Sequence, residues 1–247
     1  MRSAIGREFM RLTRYERMGP SDQSLGVPQP PLEKEADPSK ATMRLPVPGS
    51  IAVRSIDLTA AIDNRASIRK YSPRPLPLGE LSYLLWCTQG VKRITPRPAT
   101  LRTVPSAGAR HPFETYLLVN RVEGLRPGLY RYLAIAHELA AHDLGEGLAE
   151  RVVAASLGQR FVLASAVTFI WVAVAQRSFW RYQERAYRYM HLDAGHVGQN
   201  LYLGVQAVDA DCCVIAAYDD GAINDLLGLD GEDEFVIYMA TVGKRAP

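Results

Sequence analysis

The stretch Glu184 to Val208 reads ERAYRYMHLDAGHVGQNLYLGVQAV and is the longest periodic segment of the chain. Apolar residues recur along it at helical spacing, namely Ala186, Met190, Ala194, Val197, Leu201, Val205 and Val208. Its other faces carry Leu192, Leu203, Gly195, Gly198 and Gly204. A helix that is apolar or small on nearly all faces is buried. The stretch therefore predicts a central helix that packs on a sheet or is shared with a partner subunit.

Shorter segments on either side of this helix predict an α+β fold. Asp57 is placed to cap a helix over 58–64, and Gly90 is placed to end one over 78–89. Further helices are expected over 148–155 and 222–227. Strands are expected over 114–120, 128–132, 138–141, 167–175, 212–217 and 234–242. The segment 95–112 is rich in proline and small residues, which predicts a long loop of the kind that often carries function.

Residues 1–50 differ in composition from the rest of the chain. Prolines lie there among Ser, Glu and Lys with few large apolar residues, so this segment cannot form a core of its own. It is either a disordered tail or an arm laid along another surface, and the extended entry over 44–48 favours the arm. We predict a Pro-rich N-terminal extension over 1–50 and one globular domain over 51–247.

The composition is ordinary for a soluble globular protein. The formal net charge of +3 is too small for a polyanion binder, and no clustered basic face suggests a nucleic-acid partner. None of the three cysteines forms a CxxC pair, which favours a reducing compartment. The apolar run 161–175 is shorter than the roughly 20 residues of a membrane span, and residues 1–18 lack the apolar stretch of a secretory signal. We expect a cytoplasmic protein with no membrane partner.

Several common catalytic and metal motifs are absent from the sequence. It contains no GxGxxG after a strand, no GxSxG and no HExxH. His191 and His196 are five positions apart, so they do not share a helix face as metal ligands at i and i+4 would. No metal site is expected.

The run Arg65-Ala66-Ser67-Ile68-Arg69 is the first positive signal for a ligand. On an extended backbone the two guanidinium groups and the hydroxyl point to one side, while Ala66 and Ile68 face the core. Arginine grips a phosphate bidentately, and serine adds a hydrogen bond. A solvated, charged turn would give the same run, so this pentapeptide leaves both interpretations open.

The second signal is Val104-Pro105-Ser106-Ala107-Gly108, within the predicted long loop. Small residues let the backbone approach a flat ligand closely, although a plain linker has a similar composition.

Together and in this order, the two signals resemble the nitroreductase superfamily, in particular its SagB-like branch of thiazole/oxazole dehydrogenases. The resemblance covers about residues 51–247. Further matches, in chain order, are LSYLLWCTQG over 81–90, PGLYRY over 127–132, RAYRY over 185–189, DAGHVGQN over 193–200 and the closing Val242-Gly243.

The resemblance implies an α+β fold with a central mixed or antiparallel sheet flanked by helices, in an intertwined homodimer with FMN at the subunit interface. Arg65, Ser67 and Arg69 would hold the FMN phosphate, and Lys244 or Arg245 could add a second cation there. The ring would be lined by Pro105, Ser106, Ala107 and Gly108, from the partner subunit, and passed by Ile215, Ala216 and Ala217. Loop amides around 106–108 are candidates to contact flavin N5.

The expected activity is that of an FMN-dependent oxidoreductase, which transfers a hydride between flavin N5 and a small organic substrate, with NAD(P)H as a candidate donor. Tyr182, Arg185 and Tyr189 are the candidate catalytic groups. Arginine is a poor base because it stays protonated. Azoline oxidation, the activity of the thiazole/oxazole dehydrogenases, is therefore in doubt, and these residues could serve packing instead. Ala109 and His111 stand where classical nitroreductases have Asn and Gln, and Arg110-His111 would place a basic pair at the mouth of the site. His111 could contact substrate or cap the loop. The alternative is a flavin-binding protein without turnover.

Overall fold

A seven-stranded sheet forms the centre of the computed structural model, which describes residues 4–246. Residues 1–3 of the predicted N-terminal extension, and Pro247, lie outside the described residues. The sheet order is β1-β6-β5-β4-β7-β9-β8, and its ladders are antiparallel. These strands are β1 (Thr42–Arg44), β4 (Phe113–Val119), β5 (Gly128–Leu133), β6 (Glu138–Asp143), β7 (Val167–Val174), β8 (Ala210–Ile215) and β9 (Glu234–Lys244). A separate hairpin joins β2 (Val91–Ile94) to β3 (Thr100–Arg102).

Helices cover both faces of the sheet. They are α1 (Ile5–Leu12), α2 (Leu58–Asp63), α3 (Leu78–Gln89), α4 (Leu148–Ala155), α5 (Phe161–Ala164), α6 (Ala175–Tyr182), α7 (Ala186–Ala207) and α8 (Asp220–Leu227). The described structure confirms the predicted α+β class.

Alternating side chains of the central strands divide the core into two layers. Leu117 and Phe169 point to the face that α3 and α7 cover, whereas Leu118 and Ile170 point to the face that α4 and α8 cover. Since all four are buried on the two innermost strands, both helical layers are fixed to one sheet.

The long helix α7 packs on the sheet, which confirms the central position that its sequence predicts. Its apolar stripe, which includes Met190, Val197 and Leu201, is buried against α3 and the sheet. A Cβ added at Gly204 would lie 3.3 Å from both Cys87 Sγ and Leu84 Cδ2, so a glycine there permits the close approach of α3. The opposite stripe remains exposed in the single chain, and Leu192 within it is 62% exposed.

The N-terminal segment runs over the surface of the domain. Thr42–Arg44 adds the edge strand β1 to β6. The Trp180 indole donates to the Val27 carbonyl at 2.8 Å, and the Lys34 amide donates to Glu114 at 2.8 Å. We call residues 4–41 the arm; the domain boundary at residue 50 stays a prediction.

Most predicted elements are confirmed, and the structure adds others. Asp57 caps α2 by accepting from the Ala60 amide at 2.9 Å, and α3 ends before Gly90 as expected. The segment 95–112 was expected to be all loop, which is wrong, because β3 lies within it and pairs with β2. Helices α1, α5 and α6 and strands β1 and β2 were not predicted. None of the helices within residues 4–246 is long and apolar enough to cross a membrane.

Candidate functional site

The Arg65–Arg69 run lies in an extended segment beside β8. The Ile68 amide donates to the Cys212 carbonyl at 3.0 Å, which fixes the run along the strand. Ser67 Oγ is 2.6 Å from Tyr202 Oη, and the Arg65 guanidinium lies 5.2 Å from the centre of the Tyr202 ring. Tyr202 also accepts a hydrogen bond from the Val214 amide at 3.2 Å, so it joins the run, α7 and β8.

The charges of Arg65 and Arg69 are uncompensated. Neither forms an ion pair with a carboxylate in residues 4–246, and Arg69 lies 5.7 Å from the centre of the Phe161 ring. Ser67 and Arg69 are exposed, so the run is open to a ligand. The expectation that Ala66 faces the core is wrong, because the run lies beside the edge strand β8. Ala66 is exposed and lines a surface cavity together with the partly buried Ile68.

The two C-terminal cations have partners within the chain. Lys244 is only 7% exposed, and its Nζ lies 2.9 Å from Glu80 and 2.5 Å from the Val208 carbonyl.

Arg245 pairs with Asp211 at 3.2 Å and with Asp209 at 3.7 Å. Arg245 lines the same surface cavity as Ala66 and Ile68, whereas Lys244 turns towards α3.

The loop over 105–108 is fastened to α7 by Asp193. Ser106 Oγ donates to Asp193 Oδ2 at 2.6 Å, and the Ala107 amide donates to Oδ1 of the same carboxylate at 3.2 Å. Burial raises the pKa of Asp193 above its ordinary value, although these hydrogen bonds act in the opposite direction. Ser106 Oγ in turn accepts from the His111 amide at 2.9 Å, so one buried carboxylate organises the loop.

Gly108 brings the loop backbone against the end of α6. Its φ of +57° lies in the left-handed region that favours glycine. A Cβ at this position would collide with the Tyr182 hydroxyl and would lie 2.9 Å from Arg181 Nε. The Gly108 amide forms no hydrogen bond within the described chain, whereas the Ala107 amide is taken by Asp193.

The three predicted catalytic residues lie together next to this loop. The rings of Tyr182 and Tyr189 meet edge to face with centroids 4.8 Å apart. Arg185 Nε donates to Tyr189 Oη at 2.7 Å, and another nitrogen of Arg185 donates to the Thr13 carbonyl at 2.9 Å. The group therefore joins the loop over 105–108 to the arm.

Arg110 and His111 are both buried in the single chain. His111 is 4% exposed, and burial together with the charges of Arg102 and Arg110 lowers its pKa to about 3. His111 is therefore neutral at physiological pH. Arg110 donates to the Gly108 carbonyl at 3.1 Å and lies over the Trp180 ring.

The segment Ile215–Ala217 follows directly on β8. Ile215 is buried, whereas Ala216 and Ala217 are exposed, and the Ala217 carbonyl accepts from Gln159 at 2.7 Å. Four positions separate Cys212 from Ala216, a distance of about 13 Å along an extended strand. Strand β8 therefore has Cys212, which bonds the arginine run, near its start and the segment Ile215–Ala217 at its end.

The arginine run and the small-residue loop lie on opposite sides of α7. Asp193 binds the loop and Tyr202 binds the run, nine positions further along the helix. At 3.6 residues a turn, these side chains point in opposite directions and lie about 14 Å apart along the axis. A single chain therefore does not close the two parts around one ligand.

Sequence reasoning did not assign roles to Asp193 and Tyr202. Asp193 opens the DAGHVGQN match, and that buried acid on an apolar helix was the available signal. Tyr202 gave no signal, because its partner Ser67 lies 135 positions away. Within residues 4–246, no group of three or more His, Cys, Asp or Glu could hold a metal ion, and Cys87, Cys212 and Cys213 are free thiols.

Comparison with known proteins identifies the family of the chain. Residues 62–244 match the model of the nitroreductase family. The nitroreductase-family protein MJ1384 of Methanocaldococcus jannaschii is 31% identical over 204 residues, which cover 83% of this chain and 98% of that protein. The trifolitoxin-processing protein TfxB of Rhizobium leguminosarum is 31% identical over 137 residues, 52% of this chain but only 36% of TfxB.

Solved structures share the fold. A nitroreductase-family protein of Anabaena variabilis has a TM-score of 0.68 at 26% identity, over 85% of this chain and 42% of that one. One from Desulfovibrio desulfuricans, solved in complex with FMN, has a TM-score of 0.55 at 15% identity, over 78% of this chain and 88% of that one. The Escherichia coli microcin synthetase complex McbBCD contains a chain with a TM-score of 0.62 at 18% identity, over 99% of this chain and 93% of that one. The chain therefore belongs to the nitroreductase family, and its relatives include the SagB-like proteins of that family.

Proposed function

We propose that this protein is a homodimeric, FMN-dependent oxidoreductase that acts on a small organic substrate, with NAD(P)H as a candidate donor. The observation that carries the proposal is the pair Arg65 and Arg69, on either side of the exposed Ser67. Neither arginine has a carboxylate partner among residues 4–246. A phosphate dianion would supply the missing negative charge and accept hydrogen bonds from all three side chains.

The dimer is part of the proposal because the two parts of the site face away from each other. A two-fold axis near the exposed stripe of α7 would bring the loop of one copy to the arginine run of its partner. The exposed Leu192, on that stripe, supplies apolar surface for such a contact.

The flavin ring system supplies hydride chemistry when FMN is bound. The chain's own residues position the ring and the substrate. The Gly108 amide has no acceptor among residues 4–246 and would donate where the loop meets the ring. Asp193 fixes the loop backbone. Ala216 and Ala217 leave room beside β8 for a flat ligand, because their side chains are small.

Tyr182, Arg185 and Tyr189 lie beside the same loop and would contact the substrate. The Tyr189 hydroxyl accepts a hydrogen bond from Arg185, so its own proton remains free for donation. Arg185 keeps its charge and acts by orientation rather than as a base. Lys244 and Arg245 have a smaller role in this proposal, because Glu80 and Asp211 already neutralise them.

An absorbance spectrum of the purified protein with added FMN, followed by anaerobic titration with NADPH and NADH, tests the proposal. We expect bound flavin with shifted visible bands that one nucleotide bleaches. A protein that binds no FMN would contradict it. Bound FMN that neither nucleotide nor any substrate can bleach would instead favour a flavin-binding protein without turnover.

A further inference from the structure

A cavity of about 390 Å³ lies between the arm and the junction of α6 with α7. Arm residues 15–24 form one wall, and residues 181–185 form the other. None of the described residues that line it carries a carboxylate. Its aromatic surfaces come from Tyr15 and Tyr182.

Two arginines bring positive charge to this cavity. The Arg181 side chain forms no ion pair and no hydrogen bond within residues 4–246, and its guanidinium lies 5.6 Å from the centre of the Tyr182 ring. Arg185 is held by Tyr189 and by the Thr13 carbonyl, which are both neutral. Glu184, between them in sequence, is exposed and forms no ion pair among the described residues.

A third cation without an ion pair among the described residues, Arg110, interacts electrostatically with Arg181. Arg110 is 8% exposed, and its hydrogen bond to Gly108 is to a neutral carbonyl. Burial and the charge of Arg181 lower the pKa of Arg110. Buried cations in proteins are usually paired with an anion, and here the described chain supplies none.

The cavity wall is held by a residue in an unusual conformation. Gln183 has φ 49° and ψ −143°, a region that non-glycine residues rarely adopt. Its side chain accepts from the Gly19 amide at 3.1 Å and donates to the Pro20 carbonyl. Strained residues of this kind concentrate at ligand sites, where the surrounding structure holds them in place.

The cavity adjoins the loop that would bind the flavin ring, since Tyr182 and Arg181 both contact the position of Gly108. We propose that this cavity binds the anionic group of a planar organic substrate, a carboxylate or a phosphate, and that Arg181 is the residue that selects it. The proposal deepens the proposed function and rests on it only for the reaction that follows binding.

Arg181 is the right residue to test because its side chain forms no hydrogen bond or ion pair in the described part of the chain. Arg185 and Arg188 also hold the arm, through Thr13 and the Met10 carbonyl, so their removal would disturb the fold of this region. Arg181→Gln removes the charge and keeps a shorter polar side chain, whereas Arg181→Lys keeps the charge. Arg126→Gln is the matched control, because Arg126 is exposed and binds only the Leu144 carbonyl through its side chain.

Binding of benzoate, phenyl phosphate and the neutral benzamide is measured by saturation-transfer NMR and titration calorimetry, with the protein as purified and again with added FMN. We expect at least one anion to bind tenfold more tightly than benzamide. Arg181→Gln should weaken that anion about tenfold without affecting benzamide, and Arg181→Lys and Arg126→Gln should each stay within about twofold of wild type.

Benzoate and phenyl phosphate distinguish a carboxylate from a phosphate ligand. The proposal is overturned if neither anion binds, if benzamide binds equally well, or if Arg181→Gln leaves anion affinity unchanged. Because the readout is ligand binding rather than flavin reduction, failure of FMN binding would be seen separately in the absorbance of the same samples.

Discussion

The Ser106 hydroxyl lies 2.6 Å from a carboxylate oxygen of Asp193, so a buried acid of the central helix fixes the position of the small-residue loop. Hydrogen bonds to a charged group contribute about 1.5–3 kcal/mol each. The loop is therefore anchored before any ligand binds.

Removal of this anchor is expected to weaken FMN binding. Asp193→Ala leaves the Ser106 hydroxyl and the Ala107 amide without their acceptor, which predicts about 10-fold to 100-fold weaker binding. Asp193→Asn retains one acceptor oxygen, so its FMN affinity should fall less than that of Asp193→Ala. Quenching of flavin fluorescence gives all three dissociation constants. Equal affinities for wild type and Asp193→Ala would show that the contact does not matter for the cofactor.

Crowding at Gly108 should have a similar effect by another route. Gly108→Ala places a methyl group against Tyr182 in a strained backbone region, so the loop must move and FMN affinity should fall at least tenfold. Gly6→Ala is the matched control, because Gly6 lies on α1 with nothing within 4 Å of an added Cβ. The account requires the control to retain wild-type affinity, measured by the same titration.

The secondary structure around these residues was largely predictable, and the reasons are local. Helix α3 has an apolar stripe and a glycine stop, and α7 has a longer stripe of the same period. Helix α6 was missed because an apolar strand runs directly into it at Ala175, without a cap or turn residue between them. The short strand β3 was missed because its pairing with β2, rather than its composition, makes it a strand.

The site was only partly predictable, because distant partners define it. The sequence resemblance picked out Arg65, Ser67, Arg69 and the loop over 105–108. It did not pair Ser106 with Asp193, which lies 87 positions away. Nor did it show that Lys244 and Arg245 already have acidic partners, since Glu80 is 164 positions from Lys244.

Burial of neutral His111 predicts a pH dependence of stability. Its pKa is about 3 in the folded protein, against about 6.5 when unfolded, so the unfolded state takes up a proton first as the pH falls. The contribution of neutral His111 to the free energy of unfolding is therefore fully present above pH 6.5. It falls below that pH by at most about 1.4 kcal/mol per pH unit. Asparagine tolerates the positive φ of residue 111, so His111→Asn is a suitable comparison.

Urea unfolding at pH 7.5, 6.0 and 5.0 measures this effect. The difference in unfolding free energy between wild type and His111→Asn should shift against wild type as the pH falls. A difference that stays constant across the three pH values would mean that His111 becomes protonated in the folded protein.

The exposed stripe of α7 predicts the effect of a charge at the dimer contact. Leu192 is 62% exposed in the single chain, so Leu192→Asp should leave a monomer folded. In the proposed dimer the same change buries a charge and should give a single chain of 27.3 kDa with weak FMN binding. Sedimentation velocity distinguishes the two masses. If Leu192→Asp remains a dimer, the interface lies elsewhere. Leu157→Asp is the control, because Leu157 is also exposed but lies away from α7.

The dissociation constant of FMN for Arg65→Ala/Arg69→Ala, compared with wild type, tests the central claim most directly. Arg44→Ala/Arg126→Ala removes the same charge from exposed positions and is the control. We predict that the Arg65/Arg69 variant stays folded, purifies colourless and binds FMN at least 100-fold more weakly, whereas the control binds as wild type does. A folded Arg65/Arg69 variant that purifies yellow with unchanged FMN affinity would contradict the account.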